Sequence, residues 1–230
     1  MNPVGVHGNP GLPAPLDLSV YLVTDAAQAA ACGRDVPGTV AEAVAGGVTA
    51  VQVREKDGTA RDFLDSVLRI SAVLPEHVAL FVNDRVDVYL AARAAGARVT
   101  GVHIGQSDLP VAAVRALTGP DAVIGLSAAT EDELRAATKE PARVDYVGIG
   151  ALHATRTKAD APPELGIEGF ARLAPPTPLP AVAIGGVTVA DMAPLRAAGA
   201  AGGAVVSGIC AAADPRTAAR AYAEAWGRAA

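Results

Sequence analysis

The chain has 230 residues, enough for one domain with a sizeable buried core. Hydrophobic residues make up 51% of the chain and charged residues 19%, a balance typical of a globular α/β protein and unlike that of a disordered chain. The formal net charge of −5 argues against broad nucleic-acid binding, which requires a basic surface.

The N-terminal segment contains Gly and Pro, but it lacks the basic region and the apolar stretch that a secretory signal requires. We interpret residues 1–17 as a flexible N-terminal extension and residues 18–230 as one folded domain. No segment reaches the ~20 consecutive apolar residues of a membrane span, so no membrane partner is expected. Cys32 and Cys210 are expected to be reduced thiols, and the predicted compartment is the cytoplasm.

From residue 18 onward, short apolar segments alternate with segments of helical pattern. Strands buried on both faces are short and continuously apolar. The segments that fit this description are Ser19–Thr24, Ala50–Arg54, Val78–Asn83, Val99–Ile104, Ala122–Leu126, Val144–Ile149, Ala181–Ile184 and Gly203–Val206. Between them, capping boxes that begin at Thr59, Thr130 and Thr188 mark helix starts.

Eight β–α units in a chain of this length predict an α/β fold with a single (β/α)8 barrel, the TIM barrel. A doubly wound sheet is disfavoured, because no G-x-G-x-x-G follows the first strand. In barrels of this kind the active site lies at the carboxyl ends of the strands. The residues that follow each apolar segment are therefore the candidates for function.

Basic side chains follow the second strand. Gln52, Arg54 and Lys56 share one face, because the side chains of a strand alternate. Charged side chains at the barrel mouth need a partner, since burying an unpaired charge is costly. These residues predict an anionic ligand; a structural ion pair with a neighbouring carboxylate is the alternative.

Acidic side chains follow the third and fourth strands, as Asn83-Asp84 and Asp108. Two carboxylates beside bound phosphates suit Mg²⁺, which takes few protein ligands and completes its shell with phosphate oxygens and water. Helix capping is an alternative for either aspartate, because both precede helical segments.

Hydroxyl and basic groups follow the fifth and sixth strands. Ser127 is weak evidence alone, since a turn or a cap would use it equally well. The segment after the sixth strand carries Thr155, Thr157 and Lys158 and is long for a compact domain. Long loops often act as lids over a site, and a solvated loop is the alternative.

Glycine-rich loops follow the seventh and eighth strands. Gly186 and Val206-Ser207 occupy positions at which barrels of this kind often bind phosphate through backbone N–H groups. Simple turn formation by glycine is the alternative. The mouth thus has two predicted anion sites, one for a pyrophosphate and one for a monophosphate. This arrangement favours an enzyme that joins two phosphorylated small molecules and releases pyrophosphate.

The ordered strand-end motifs resemble those of the thiamine phosphate synthase family over about residues 21–223. Each motif is weak alone, but the ordered set is specific. The motifs are Gln52-Val-Arg-Glu-Lys56, Asn83-Asp84, Val102-His-Ile-Gly-Gln-Ser-Asp108, Gly125-Leu-Ser127, Thr155-Arg-Thr-Lys158, Ile184-Gly-Gly186 and Val206-Ser207. The resemblance implies a transferase of thiamine biosynthesis. It would couple hydroxymethylpyrimidine pyrophosphate to thiazole phosphate, or to its carboxylated form, and release pyrophosphate.

The resemblance also implies residue roles and a Mg²⁺ cofactor. Pyrimidine pyrophosphate would be bound by Gln52, Arg54, Lys56, Asn83, Ser127 and Lys158. The metal ligands would be Asp84 and Asp108. Thiazole phosphate would be bound by Thr155, Thr157, Gly186, Val206 and Ser207. Arg54, Lys56 and Lys158 would act in catalysis by stabilising the departing pyrophosphate.

Three residues depart from the family pattern. Ala129 stands where a His is frequent, Ala151 replaces a common Pro, and His153 occupies a position that is often aromatic or bulky. These changes affect the expected shape of the thiazole pocket, but they remove no charged group from the pyrophosphate site.

Three other functions are compatible with parts of the pattern. A thiazole tautomerase shares the barrel and the thiazole-phosphate site, but does not need the pyrophosphate and Mg²⁺ groups. A sugar-phosphate isomerase or epimerase requires an acid–base pair across the mouth, and no pair is as clear as the anion sites. A non-catalytic barrel that binds phosphorylated ligands has no need of the full charged set. No nucleic-acid partner is expected, and a homo-oligomer is left open.

Overall fold

The structure is a computed structural model that describes residues 16–56, 58–154 and 164–228. Within these residues, eight parallel strands close into a barrel in the order of the sequence. The strands are β1 Val20–Val23, β2 Ala50–Val53, β3 Ala79–Asn83, β4 Gly101–Ile104, β5 Val123–Ser127, β6 Tyr146–Ile149, β7 Ala181–Ile184 and β8 Gly202–Val205. All eight predicted strands are present, with bounds shifted by two residues at most. The predicted (β/α)8 barrel is confirmed.

Helices surround the barrel, as expected when parallel strands are joined by right-handed crossovers. They are α1 Ala26–Ala31, α2 Val36–Ala45, α3 Ala60–Val73, α4 Val86–Ala94, α5 Val111–Thr118, α6 Glu131–Lys139, α7 Gly166–Leu173, α8 Met192–Ala197, α9 Ser207–Cys210 and α10 Pro215–Trp226. A single 3-10 turn, Val189–Asp191, leads into α8. In the part of the chain that the structure describes, no helix is both long enough and apolar enough to cross a bilayer.

The predicted helix caps are present. Thr59 and Asp62 satisfy each other's backbone N–H groups at the start of α3, and Thr130 and Glu133 do so at the start of α6. Asp214 caps α10 by accepting a hydrogen bond from the Thr217 N–H. These bonds satisfy donors that a helix start otherwise leaves unpaired.

Strand alternation divides the core into two layers. The outward residues, such as Val51 and Val53 of β2, pack against the helices. The inward layer is centred on Tyr21, Phe81 and Tyr146, whose ring centroids lie 5.4–6.1 Å apart. These rings fill the middle of the barrel and form the floor beneath its mouth.

The predicted N-terminal extension lies mostly outside the described residues. Of its members, Asp17 accepts a hydrogen bond from the Ser19 N–H at 3.0 Å and pairs with Arg228 near the other end of the chain. Both cysteines are free: Cys210 is buried, and Cys32 is partly buried. Burial raises the pKa of the Cys210 thiol to about 11, which keeps the thiol protonated.

Candidate active site

Polar side chains occupy the inward positions at the carboxyl ends of four consecutive strands. Gln52, on β2, is only 3% exposed and points into the barrel, as its alternation with the two outward valines predicted. Asn83 lies beside His103 in the β3–β4 register, and Ser127 completes the series on β5. The barrel mouth is therefore polar along this half, directly above an apolar and aromatic floor.

A chain of hydrogen bonds crosses this part of the barrel. The Gln52 side-chain amide donates to the Tyr21 hydroxyl at 3.0 Å, and that hydroxyl lies 2.7 Å from the hydroxyl of Tyr146. Nδ1 of His103 is 3.0 Å from the Tyr146 hydroxyl, and Nε2 is 3.1 Å from Oγ of Ser127. The chain links two predicted substrate-binding residues, Gln52 and Ser127, through Tyr21, Tyr146 and His103, to which no site role was predicted.

Glycines on two neighbouring strands make room for His103. A Cβ atom on Gly125 would lie 2.5 Å from Nδ1 of His103 and 2.2 Å from Cζ of Tyr146. A Cβ atom on Gly148 would lie 3.2 Å from Cε1 of His103. Inward glycines on β5 and β6 beside an inward His on β4 are the sequence feature from which this contact was predictable.

The two predicted metal ligands lie against each other. Burial and the adjacent carboxylate of Asp108 raise the pKa of Asp84 to about 6, while Asn83 and Arg54 act in the opposite direction. Nδ2 of Asn83 donates to Oδ2 of Asp84 at 2.6 Å. Asn83, Asp84 and Asp108 therefore lie together at one point of the mouth, with Arg54 near enough to act on the pKa of Asp84.

Neither aspartate caps a helix through its side chain. No side-chain hydrogen bond caps α4 or α5, the described helices that follow Asp84 and Asp108. Oδ2 of Asp108 instead accepts from the Gly105 N–H at 2.7 Å. Asp84 has a φ of +59°, a backbone conformation that costs energy for a residue with a side chain. The helix-capping alternative is thus not supported.

Arg54 is positioned by the end of the neighbouring strand. Its N–H donates to the hydroxyl of the buried Thr24 at 3.0 Å, and the Thr24 N–H donates to the Gln52 carbonyl at 2.9 Å. These bonds continue the β1–β2 pairing beyond both strands. Lys56 lies farther along the same loop and is exposed.

The opposite side of the mouth is built from backbone. Gly185 and Gly186 follow β7 with φ values of +92° and +67°, which favour glycine. A Cβ atom on Gly186 would lie 2.9 Å from Cβ of His153. After β8, the short helix α9 begins at Ser207, directly after Val206, and both Ser207 and Gly186 are exposed. This is the loop arrangement that the sequence predicted for a monophosphate.

The other predicted site residues of loop six, Thr155, Thr157 and Lys158, lie outside the described residues. His153 stands just before them and contacts two carboxylates, Asp191 and Glu164. Gly186 packs against His153. His153, one of the three residues that depart from the family pattern, therefore lies beside the Gly185-Gly186 loop.

Comparison with known proteins identifies the family of the chain. The family described as thiamine monophosphate synthase matches residues 20–209. The chain belongs to this family. A thiamine-phosphate synthase from Azorhizobium caulinodans is 49% identical over 210 residues, which cover 91% of this chain and 95% of that protein. A second, from Albidiferax ferrireducens, is 45% identical over 203 residues, or 88% of this chain and 89% of that protein.

A solved structure of a similarly named protein has a similar fold. A thiamine phosphate pyrophosphorylase from Pyrococcus furiosus superimposes with a TM-score of 0.80 at 29% identity, covering 91% of this chain and 96% of that one. Within the described part of this thiamine monophosphate synthase family member, no cluster of three or more His, Cys, Asp or Glu side chains suits a metal ion.

Proposed function

We propose that this chain is a thiamine phosphate synthase, a transferase of thiamine biosynthesis. It joins 4-amino-2-methyl-5-hydroxymethylpyrimidine pyrophosphate to thiazole phosphate, giving thiamine phosphate and pyrophosphate. The observation that carries this proposal is the apposition of the Asp84 and Asp108 carboxylates, with Arg54 near enough to act on the pKa of Asp84, across the mouth from the Gly185-Gly186 loop. Family membership and the names of the relatives support the same reaction.

The pyrimidine pyrophosphate binds over strands β2 to β5. Arg54, Lys56 and Lys158 supply positive charge to the pyrophosphate. Gln52, Asn83 and Ser127 supply hydrogen bonds, and the bonds that fix Gln52 and Ser127 hold them in place before the substrate arrives. Preorganisation of this kind lowers the cost of ordering the site during the reaction.

Asp84 and Asp108 bind Mg²⁺ in this proposal. Their fit to a divalent cation rests on the apposition of the two carboxylates: burial first, and then the neighbouring Asp108, raise the pKa of Asp84. Magnesium accepts one or two protein carboxylates when phosphate oxygens and water complete its shell. The bound ion would supply positive charge to the pyrophosphate oxygens.

The thiazole phosphate binds on the opposite side of the mouth. In this proposal the backbone N–H groups of Gly186, Val206 and Ser207 donate to the phosphate, and Thr155 and Thr157 add hydroxyl groups from loop six. The start of α9 favours an anion, because the partial positive charge of a helix lies at its N-terminus.

The reaction needs charge stabilisation and positioning rather than a general base. The CH2–O bond of the pyrimidine breaks, and its electron pair leaves with pyrophosphate. The cation that remains on the CH2 carbon is stabilised by the amino-substituted ring. The lone pair of the thiazole nitrogen then forms the new C–N bond, so no proton has to be removed from the nucleophile. Holding that nitrogen in line with the CH2 carbon is the second contribution of the site.

A direct assay tests the proposal. Purified protein, both substrates and Mg²⁺ should give thiamine phosphate and pyrophosphate in equal amounts, with neither product when one substrate is omitted. A thiazole tautomerase would instead isomerise a carboxylated thiazole phosphate and leave the pyrimidine pyrophosphate intact. That outcome, or the absence of turnover, would overturn the proposal.

We also infer that residues 18–230 form the catalytic domain, that residues 1–17 lie outside it, and that the reaction takes place in the cytoplasm. The partners in this proposal are small phosphorylated molecules, without nucleic acid or membrane.

A further inference from the structure

His153 lies between two carboxylates at the edge of the barrel mouth. Its Nε2 atom is 3.0 Å and 3.1 Å from the two carboxylate oxygens of Asp191, and its Nδ1 atom is 3.3 Å from Oε1 of Glu164. A neutral imidazole can donate from only one of its two nitrogens. An arrangement in which both nitrogens face carboxylates therefore favours the doubly protonated, positively charged ring.

Asp191 is the better-buried member of this cluster. Its side chain is 12% exposed, compared with 33% for His153 and 53% for Glu164. Burial acts to raise the pKa of Asp191, but hydrogen bonds from Thr188 and His153 outweigh it and lower the pKa. The hydrogen bond that His153 donates to Asp191 raises the pKa of His153 despite partial burial, and Glu164 adds to the effect.

The same carboxylate also holds the glycine loop. Oδ2 of Asp191 accepts from the Thr188 N–H at 2.8 Å and from the Thr188 hydroxyl at 2.7 Å. On the other side of the loop, the His153 N–H donates to the Gly185 carbonyl at 2.9 Å. The His153–Asp191 contact thus ties together both ends of the four-residue segment 185–188, which contains Gly186.

This segment needs an external restraint. Two consecutive glycines with positive φ have more backbone freedom than any other pair of residues, so the unbound loop pays a large ordering cost when it binds a ligand. A restraint that already exists in the free protein removes part of that cost. The charge matters too, because a lone Asp191 carboxylate beside a phosphate site would repel the ligand.

We propose that His153, as an imidazolium paired with Asp191, is a positioning residue for the thiazole phosphate, setting the Gly185–Thr188 loop that binds it. This proposal rests on the proposed function. In the family pattern the position of His153 is often aromatic or bulky, so an ion pair here replaces a packing contact. His153 does not touch the reacting atoms; it acts through the loop.

The charged groups around His153 set the direction in which the restraint on the Gly185–Thr188 loop changes with pH. Among the described residues, the groups that face His153 or its partner are Asp191 from the start of α8, Glu164 before α7, and Tyr222 of α10, whose pKa Asp191 helps to raise. Tyr222, whose pKa is raised, and Asp191, whose pKa is lowered, keep their charge states near neutral pH. His153 is the group that changes, and its loss of a proton at higher pH should weaken the restraint.

The first measurement is independent of turnover. Two-dimensional NMR of the imidazole signals should give His153 a pKa above the usual 6.5 in the wild-type chain, and Asp191→Asn should lower it. An unchanged His153 titration in Asp191→Asn would show that the two side chains do not form a charged pair, and would overturn the proposal whether or not the chain is a synthase.

The second measurement is the KM for thiazole phosphate as a function of pH. His153→Gln should raise this KM about tenfold at pH 6.5, a change that corresponds to roughly 1.4 kcal/mol, with kcat and the KM for pyrimidine pyrophosphate nearly unchanged. The ratio of variant to wild-type KM should fall as the pH rises, because the wild type loses its own restraint. Taking the ratio cancels the titration of the substrate phosphate, whose pKa lies near 6.

Two variants separate charge from packing. His153→Phe should give a KM ratio that falls with pH as it does for His153→Gln, since neither side chain carries a proton. The control is His77→Gln, which alters an exposed His on another loop and should leave both KM values unchanged. A pH-independent ratio for both His153 variants, or a wild-type KM in His153→Gln, would mean that His153 only packs. Absence of product with the wild-type chain would refute the synthase assignment instead, and would leave the NMR result to decide the ion pair.

Discussion

The hydroxyl groups of Tyr21 and Tyr146 lie 2.7 Å apart at the centre of the barrel. Each has a second partner closer to the mouth, the Gln52 amide for Tyr21 and Nδ1 of His103 for Tyr146. Burial raises the pKa of both phenols, so both stay protonated at physiological pH. The pair therefore connects the polar ends of β2 and β4 through the floor of the site.

We expect Tyr146→Phe to destabilise the fold by about 1–3 kcal/mol, because a buried Tyr21 hydroxyl and a buried His103 nitrogen each lose a partner. Urea denaturation measures this change as a lower midpoint at constant slope. Tyr222→Phe is the control, since among the described residues that hydroxyl makes one hydrogen bond, to the Val187 carbonyl. A larger cost for Tyr222→Phe than for Tyr146→Phe would contradict the importance of the chain.

Asp84 predicts a specific pH dependence of stability. The pKa of an unfolded aspartate is about 3.9, and that of Asp84 in the folded chain is about 6. The folded state binds this proton more tightly, so the contribution of Asp84 to stability falls as the pH rises from about 4 through about 6. Thermal unfolding in EDTA should show this fall in stability in the wild type. Asp84→Asn should lack the part of the fall that comes from Asp84.

Added Mg²⁺ should reverse this loss of stability. At pH 7 we expect added Mg²⁺ to raise the melting temperature of the wild type but not that of Asp84→Asn or Asp108→Asn, with turnover strongly reduced in both variants. The Asn side chains keep their size and hydrogen-bonding capacity, so stability in EDTA should not suffer. Full activity of the wild type in EDTA would end the metal proposal.

Gly186 has a matched control elsewhere in the chain. Gly186→Ala forces a side chain into a backbone with φ of +67° and brings its Cβ within 2.9 Å of His153. Gly96→Ala meets a similar φ of +84°, but nothing lies within 4 Å of the added atom. Both variants should lose stability to backbone strain, and only Gly186→Ala should raise the KM for thiazole phosphate. Equal KM values in the two variants would place the phosphate elsewhere.

The sequence predicted the strands, the helix caps and the charged half of the mouth, because each depends on local pattern. Arg54 and Asp84 follow β2 and β3, and the pairing of these two strands brings their carboxyl ends together. The Tyr21–Tyr146–His103 chain was missed because it depends on which inward side chains meet across the lumen. A Tyr within an apolar strand segment gives no sign in the sequence that its hydroxyl has such a partner. The Asp191–His153 contact was missed for a similar reason: Asp191 was assigned to a capping box, which it does form, and its second partner comes from a different loop.

Arg54 should affect catalysis more than binding. Negative charge on the pyrophosphate grows as the C–O bond breaks, so a cation aimed at it stabilises the transition state more than the ground state. Arg54→Ala and Lys158→Ala should each lower kcat by a factor on the order of 10²–10³, the effect typical of losing one stabilising donor. Arg93→Ala, in the exposed last turn of α4, is the control and should leave kcat unchanged. A change confined to KM would place the two side chains outside the reaction.

The order of bond breaking and bond making can be tested with the substrate itself. If the CH2–O bond breaks first, the pyrimidine ring must carry positive charge, and an electron-withdrawing CF3 group in place of the ring methyl should slow the chemical step strongly. The substituent lies on the far side of the ring from the CH2 group, away from the pyrophosphate that we propose Arg54 binds. Single-turnover rates at saturating substrate isolate chemistry from product release. Equal single-turnover rates for the CF3 and methyl substrates would show that no cation builds up, and the thiazole nitrogen would then have to displace pyrophosphate directly.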